Sequence, residues 1–135
     1  MSQRNSGYVR QKDDAYYTPE WVTRALIPHI PDWVFNIWEP ACGSNKMLNV
    51  LRTLGRYASV WGTDIDKGDD FLLNHNNNYQ AIITNPPFKL SRQFIEHALE
   101  LTKEKNGFVA MLLPSDYDHA KTRQHLFKNC PQFSK

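Results

Sequence analysis

The chain has 135 residues, of which 41% are hydrophobic, so it has the size of one domain with a buried core. Its net charge of +2 allows a nucleic-acid partner without requiring one, because no run of like charges marks a basic surface. The two cysteines, Cys42 and Cys130, fit no metal-ligand spacing, and the sequence shows no basic apolar leader or long apolar stretch. We therefore expect a reduced, cytoplasmic protein without a structural metal or a membrane span.

The amino-terminal residues are polar and lack an apolar period, which predicts a flexible arm over 1–14 followed by a single domain over 15–135. The segment Thr18-Pro19-Glu20 predicts the start of a helix, with Thr18 as the cap and the proline in the first turn. Apolar residues then recur at helical spacing as far as Ile30, and the prolines nearby are expected to end or kink the helix.

Four short apolar segments predict β-strands, at 34–38, 59–63, 81–84 and 108–113. Two helices are predicted between them, over 47–55 and 91–102, and Ser91 is the expected cap of the second. The last strand is almost entirely apolar, as expected for a strand that is covered on both faces. The alternation predicts an α/β fold with a doubly wound, mostly parallel sheet and helices on both faces.

Polar segments follow three of these strands, at 39–45, 64–66 and 85–88. Because the carboxyl ends of parallel strands meet at one edge of a sheet, we expect these segments to form a single crevice. A turn that contains Gly43 lets a ligand approach the backbone closely, and Asp64 can accept hydrogen bonds from ribose hydroxyls. The pattern predicts a cofactor that contains a nucleoside.

The segment Asn85-Pro86-Pro87-Phe88 suits transfer of a group to a planar amine. An exocyclic amine of a base is a poor nucleophile because its lone pair is delocalised into the ring. The side-chain oxygen of Asn85 and the carbonyl of Pro86 can each accept one N–H, which favours a pyramidal nitrogen and stabilises the positive charge that develops there. The second proline biases Pro86 towards an extended backbone, and Phe88 can stack on a base taken out of a helix.

Taken in order, these segments resemble the motifs of the S-adenosylmethionine-dependent amino-methyltransferases, particularly the adenine-N6 DNA methyltransferases. The resemblance covers roughly residues 16–117. It implies a Rossmann-like methyltransferase fold, S-adenosyl-L-methionine as cofactor, adenine-containing DNA as substrate, and Asn85, Pro86, Pro87 and Phe88 as the catalytic tetrapeptide.

The resemblance also implies a cofactor site. In that family the segment similar to Tyr16-Tyr17-Thr18-Pro19 contacts the methionine end, the acid at Asp64 holds the ribose, and Asp70-Phe71 recognises the adenine by a hydrogen bond and by stacking. The implied cofactor-binding residues are Tyr16, Tyr17, Thr18, Pro19, Glu39, Pro40, Ala41, Cys42, Gly43, Asn45, Asp64, Ile65, Asp70, Phe71 and Asn85.

Each of these segments also has a purely structural interpretation, which the sequence leaves open. The tetrapeptide can be a simple turn, and the loop 39–45 can be only a helix entry. Asp64 and Asp70 can be solvated turn residues or helix caps. Tyr16-Tyr17 can pack against the sheet, and Cys42 is better explained as a small packed side chain than as a nucleophile.

The sequence departs from the family pattern in three places. Only residues 67–69 separate Asp66 from Asp70, which is too few for the helix that often connects these elements. Asn45 stands where a second glycine is usual, although asparagine tolerates a left-handed backbone better than most residues. Members of the family continue past the strand that corresponds to 108–113 with a final antiparallel hairpin. We expect the sheet of this chain to lack that hairpin. Three alternatives follow: a fragment, a minimal enzyme whose sheet edge is completed by a partner or a second copy, or a cofactor-binding module without turnover. RNA bases and glutamine amides also remain open as substrates.

Overall fold

Four parallel strands form one sheet at the centre of the fold. The structure is a computed structural model that describes residues 18–113. The strands are β1 (Asn36–Glu39), β2 (Ser59–Gly62), β3 (Ala81–Thr84) and β4 (Phe108–Met111). The helices are α1 (Glu20–Leu26), α2 (Lys46–Thr53) and α3 (Ser91–Thr102), and the strand order is β2-β1-β3-β4. The predicted α/β class and the parallel sheet are confirmed.

The sheet has a point where the chain changes direction. From β1 the chain first moves outward to β2 and then crosses back to β3 on the other side of β1. Loops that leave two neighbouring strands at such a point turn away from each other and leave a crevice between them. The crevice therefore lies where β1 and β3 end, at Glu39 and Thr84.

Both faces of the sheet are covered by helices, as the sequence predicts. Neighbouring residues of a strand point to opposite faces, so Ile37 packs with α2 on one face and Trp38 packs with α3 on the other. In the same way, the β3 residues Ile83 and Ile82 divide between the two apolar clusters. The burial of both faces holds the strand ends, and hence the crevice, in fixed register.

Two predicted helix caps are wrong. The cap position of α1 is Pro19, and no side chain caps the helix; the hydroxyl of Thr18 instead accepts a hydrogen bond from Asn85. The cap position of α3 is Leu90, and the Ser91 hydroxyl donates to the carbonyls of Pro87 and Phe88. In both cases a nearby acceptor or donor outside the helix competes with the free backbone N–H groups of the first turn.

The outer edges of the two outer strands, β2 and β4, have different environments. Along β2, the guanidinium of Arg52 donates two hydrogen bonds to the carbonyl of Val60, at 3.0 and 2.7 Å. Since the N–H groups of Ser59 and Thr63 point to β1, the Val60 carbonyl points away from the sheet. Strand β4 is half-buried throughout, so the prediction that both its faces are covered is wrong. It pairs with β3 alone among the described residues, which leaves part of it open to solvent.

Several predictions lie outside the described residues. These are the arm over 1–14, the cofactor contacts of Tyr16 and Tyr17, and everything after residue 113. Between residues 18 and 113, no helix combines the length and the apolar character needed to cross a membrane. The same part of the chain has no cluster of three His, Cys, Asp or Glu side chains that suits a metal ion.

Candidate functional site

The crevice at the ends of β1 and β3 is built around the carboxylate of Glu39. One oxygen of this buried side chain accepts a hydrogen bond from the Ala41 backbone N–H at 2.9 Å and another from the Thr84 hydroxyl at 2.6 Å. Because a charged acceptor strengthens both contacts, Glu39 joins the end of β1 to the end of β3. The residue before the tetrapeptide is thereby fixed against the first loop.

The loop after β1 turns sharply before α2. Gly43 and Asn45 both have left-handed backbone, with φ values of 51° and 69°, and the Asn45 N–H donates to the Cys42 carbonyl at 2.7 Å. The Cys42 N–H donates to the Thr63 carbonyl at 3.0 Å, which joins this loop to the end of β2. Asn45 thus adopts a left-handed conformation that favours glycine, at the small cost expected for asparagine.

Asp64 connects the loop after β1 with the loop after β2. Its Oδ2 accepts from the Gly43 N–H at 2.8 Å, and its Oδ1 accepts from the Asp66 N–H at 3.0 Å. The side chain is fully buried, so no part of the carboxylate faces solvent. In this conformation Asp64 supports the loop 39–45, called the glycine loop below because it contains Gly43. A ribose hydroxyl would reach Asp64 only after a shift of that loop.

Lys67 extends over the same loop from the turn after β2. Its Nζ lies 3.4 Å from the Cys42 sulfur and donates to Asn45 Oδ1 at 3.1 Å. Burial raises the pKa of the Cys42 thiol and the charge of Glu39 adds to the rise, while Lys67 opposes it. Cys42 is therefore a buried, neutral thiol, in agreement with its interpretation as a packed side chain.

Asp70 and Phe71 form the start of a single 3₁₀ turn. The Asp70 carboxylate accepts from the Leu72 N–H at 3.1 Å and caps this turn. The Phe71 ring is fully buried against Trp38 and Phe94, with ring centroids 5.1 and 4.8 Å away. Phe71 belongs to the core here and has no exposed face for an adenine ring, whereas the half-buried Ile65 lies at the rim of the same cluster.

The tetrapeptide follows β3 directly. The Asn85 side chain is almost completely buried, and its Nδ2 donates to Thr18 Oγ1 at 3.3 Å. The Pro87 carbonyl accepts from the Leu90 N–H at 3.0 Å, while no donor between residues 18 and 113 bonds the carbonyl of Pro86. Phe88 begins the next turn with 57% of its surface exposed. Two acceptors and an exposed aromatic ring therefore lie within four residues.

No family model, curated protein or solved structure matches this chain. The chemistry of the crevice consequently has to be inferred from its own residues.

The structure brings most of the predicted site residues together. The segments 39–45, 64–66 and the start of 85–88 meet through the contacts of Glu39, Asp64 and Thr84. Thr18 reaches the same place because its hydroxyl contacts Asn85.

Sequence reasoning missed three side chains of this site. Thr84 holds Glu39, the Thr63 hydroxyl accepts a hydrogen bond from the Trp38 indole at 2.9 Å, and Lys67 reaches the glycine loop. The two threonines are the last residues of the predicted strands 59–63 and 81–84. A polar residue at that position, next to the predicted crevice, is the sequence feature that could have identified them. Lys67 gave no such signal, because its partners lie more than 20 residues away.

Proposed function

We propose that this chain transfers a methyl group from S-adenosyl-L-methionine to the N6 amine of adenine in DNA. The observation that supports the proposal best is the pair of acceptors at the end of β3, Asn85 Oδ1 and the Pro86 carbonyl, beside a glycine loop at the point where the strand order reverses. The four-stranded parallel sheet with helices on both faces is compatible with a Rossmann-like methyltransferase core.

The charges of the crevice favour a cationic cofactor. Three carboxylates, those of Glu39, Asp64 and Asp70, are buried at the ends of β1 and β2 and in the turn that follows. Lys67 lies over the same loop and offsets part of this negative charge. The balance of three carboxylates and one lysine suits a sulfonium better than a group with phosphates. S-adenosylmethionine supplies a methyl group on a positively charged sulfur. The loop 39–45 and Asp70 are the residues proposed to hold it.

The tetrapeptide would act on the amine. Asn85 Oδ1 and the Pro86 carbonyl would each accept one of its N–H groups, which localises the lone pair on nitrogen and stabilises the positive charge that forms on methylation. Asn85 and Pro86 are both buried, so these two oxygens would need little reorganisation when the substrate binds. No strong general base is required before transfer, because the proton leaves only after the nitrogen has become positively charged.

The exposed ring of Phe88 would contact the target base. Enzymes that modify a base first take it out of the stacked helix and hold it against aromatic side chains. Phe88 follows the two acceptors directly and is largely exposed, so a base whose amine faces Asn85 would lie close to this ring.

The decisive experiment measures the product directly. The protein is incubated with methyl-labelled S-adenosylmethionine and DNA of mixed sequence, and the nucleosides are analysed by mass spectrometry, with Asn85→Ala as the control. We expect the wild-type protein to form labelled N6-methyladenine and Asn85→Ala to form none. The proposal fails if neither this chain nor an extended version forms the product.

Competing substrates separate the alternatives. Equal amounts of DNA, RNA and glutamine-containing peptide are offered in one reaction, and we expect the label in DNA adenine. If the label appears in RNA or in a glutamine amide, the protein transfers methyl groups to an amine but its substrate is not DNA. Cofactor binding by calorimetry without methylation of any of the three would identify a binding module.

A further inference from the structure

We propose that Thr18 is a positioning residue that orients the side-chain amide of Asn85, an inference that rests on the proposed methyl transfer. Thr18 Oγ1 accepts a hydrogen bond from Asn85 Nδ2 at 3.3 Å, and both residues are buried. They are 67 positions apart in the chain, so their contact is a product of the fold. It joins the segment that leads into α1 to the first residue of the tetrapeptide.

The orientation of this amide matters because its two ends have opposite chemistry. The oxygen only accepts hydrogen bonds and the nitrogen only donates them. If the amide were turned by half a rotation, its NH₂ group would face the N–H groups of the substrate amine. Two donors would then meet, and the nitrogen to be methylated would lose one of its acceptors.

A hydroxyl can accept from an amide nitrogen or donate to an amide oxygen, and in the structure the Thr18 hydroxyl accepts from Asn85 Nδ2. With Nδ2 held by Thr18, the oxygen of Asn85 is directed to the other side, where no donor between residues 18 and 113 bonds it. In this part of the chain, the only buried side-chain polar atoms without a partner are Thr23 Oγ1 and Tyr57 OH. Asn85 Oδ1 is not among them, so this oxygen is not fully buried, and we propose that a substrate amine reaches it from the crevice.

This function differs from the one that the family resemblance implies for Thr18. A residue that contacts the methionine part of the cofactor would affect cofactor affinity when altered. A residue that orients Asn85 would affect the rate of transfer and leave cofactor affinity nearly unchanged. The two functions can therefore be separated by measuring kcat and the dissociation constant of the cofactor in the same variants.

The test uses Thr18→Val, which removes the hydroxyl with little change of shape, and Thr18→Ser, which restores it. Thr102→Val is the matched control, since Thr102 is also a buried threonine with a hydrogen-bonded hydroxyl but lies at the far end of α3. We expect kcat of Thr18→Val to fall roughly 10- to 100-fold, as for a misplaced reacting group. Thr18→Ser and Thr102→Val should stay close to the wild-type rate, and cofactor affinity should change little in all three.

Two outcomes would overturn the inference. One is a loss of cofactor affinity in Thr18→Val with kcat unchanged, which would assign Thr18 to the cofactor. The other is a Thr18→Val variant with wild-type values of both. Thermal unfolding of each variant shows whether it is folded before its kinetics are compared.

A second readout does not depend on turnover. The side-chain NH₂ protons of Asn85 are observed by NMR in labelled protein, and their exchange with solvent should be slowed in the wild type and in Thr18→Ser but not in Thr18→Val. Equal exchange in all three proteins would show that the hydrogen bond does not form, and would contradict the inference. If the exchange differs as expected but the wild type methylates nothing, the proposed function fails while the Thr18–Asn85 contact stands.

Discussion

Asp64 accepts a hydrogen bond from the backbone N–H of Gly43 across 2.8 Å, which joins the end of β2 to the loop after β1. The other oxygen of the same carboxylate accepts from the N–H of Asp66. Two loops from different strands therefore share one buried anion. The shape of the glycine loop depends on this side chain, because each of its two oxygens accepts one of the two N–H groups.

Replacing Asp64 by asparagine should lower the free energy of unfolding by about 1.5–3 kcal/mol, the range for a lost hydrogen bond to a charged group. The amide NH₂ of the new side chain would face one of the two backbone N–H groups. Urea unfolding measures the change, and calorimetry should show weaker cofactor binding as the loop loosens. Asp66→Asn is the matched control, since the Asp66 side chain is exposed, and it should leave both quantities near wild type.

Asn85→Ala should reduce kcat by roughly 10²–10³-fold, as does removal of one preorganised hydrogen-bonding group from a site that stabilises developing charge. Cofactor affinity should be largely kept, because the predicted task of Asn85 is to bind the amine. Single-turnover kinetics and calorimetry measure the two quantities. A collapse of cofactor affinity in this variant would show that Asn85 has a structural task instead.

Phe88→Ala should weaken binding of the DNA substrate about 5- to 150-fold, which corresponds to about 1–3 kcal/mol of base–aromatic stacking. The chain offers a close control in Phe35, which is 56% exposed against 57% for Phe88 but precedes β1 at the opposite end of the sheet. Phe35→Ala should bind DNA like the wild type in a fluorescence titration. Equal losses in both variants would point to a general apolar effect.

Phe71→Leu tests whether this ring contacts the cofactor. The ring is fully buried against Trp38 and Phe94, so the variant should be less stable but should bind the cofactor normally while folded. Phe71→Ala should lose more stability, about 3–5 kcal/mol for a large cavity. Stacking on the adenine would instead be supported if Phe71→Leu bound the cofactor much more weakly at a temperature where it is fully folded.

The Cys42 thiol should lower the free energy of unfolding at alkaline pH. Burial raises its pKa in the folded state, so the folded protein keeps the proton at pH values where the unfolded thiol, with a pKa of about 8.5, has lost it. Its contribution to stability is therefore present below that pH and declines as the pH rises above it. Urea unfolding at pH 7 and pH 9.5 should show a larger loss for the wild type than for Cys42→Ala; equal losses would contradict the assignment.

The parts of the fold that the sequence predicted well are those with strong local signals. β3 and α3 have the predicted bounds, because each combines a clear apolar pattern with a sharp boundary at a proline or a serine. The carboxyl ends of the strands could be grouped into one crevice because parallel sheets leave few alternatives for their position.

The parts that the sequence predicted poorly depend on distant partners. Thr18 has the residue type and position of a helix cap, yet its hydroxyl is bound to a residue 67 positions away. Phe71 follows an acid as an adenine-contacting residue would, but its burial comes from packing against β1 and α3. Neither contact leaves a trace in the neighbouring sequence.

The guanidinium on the Val60 carbonyl determines where this sheet can grow. A strand that approached β2 from outside would need that carbonyl as an acceptor, and it would have to displace a bidentate, positively charged donor to obtain it. One acceptor on the outer edge of β2 is therefore already occupied by a side chain. Among the described residues, β4 has no such side chain on its outer edge, so a fifth strand would pair there more easily. Because β4 lies beside β3, such a strand would add to the sheet on the side of the tetrapeptide.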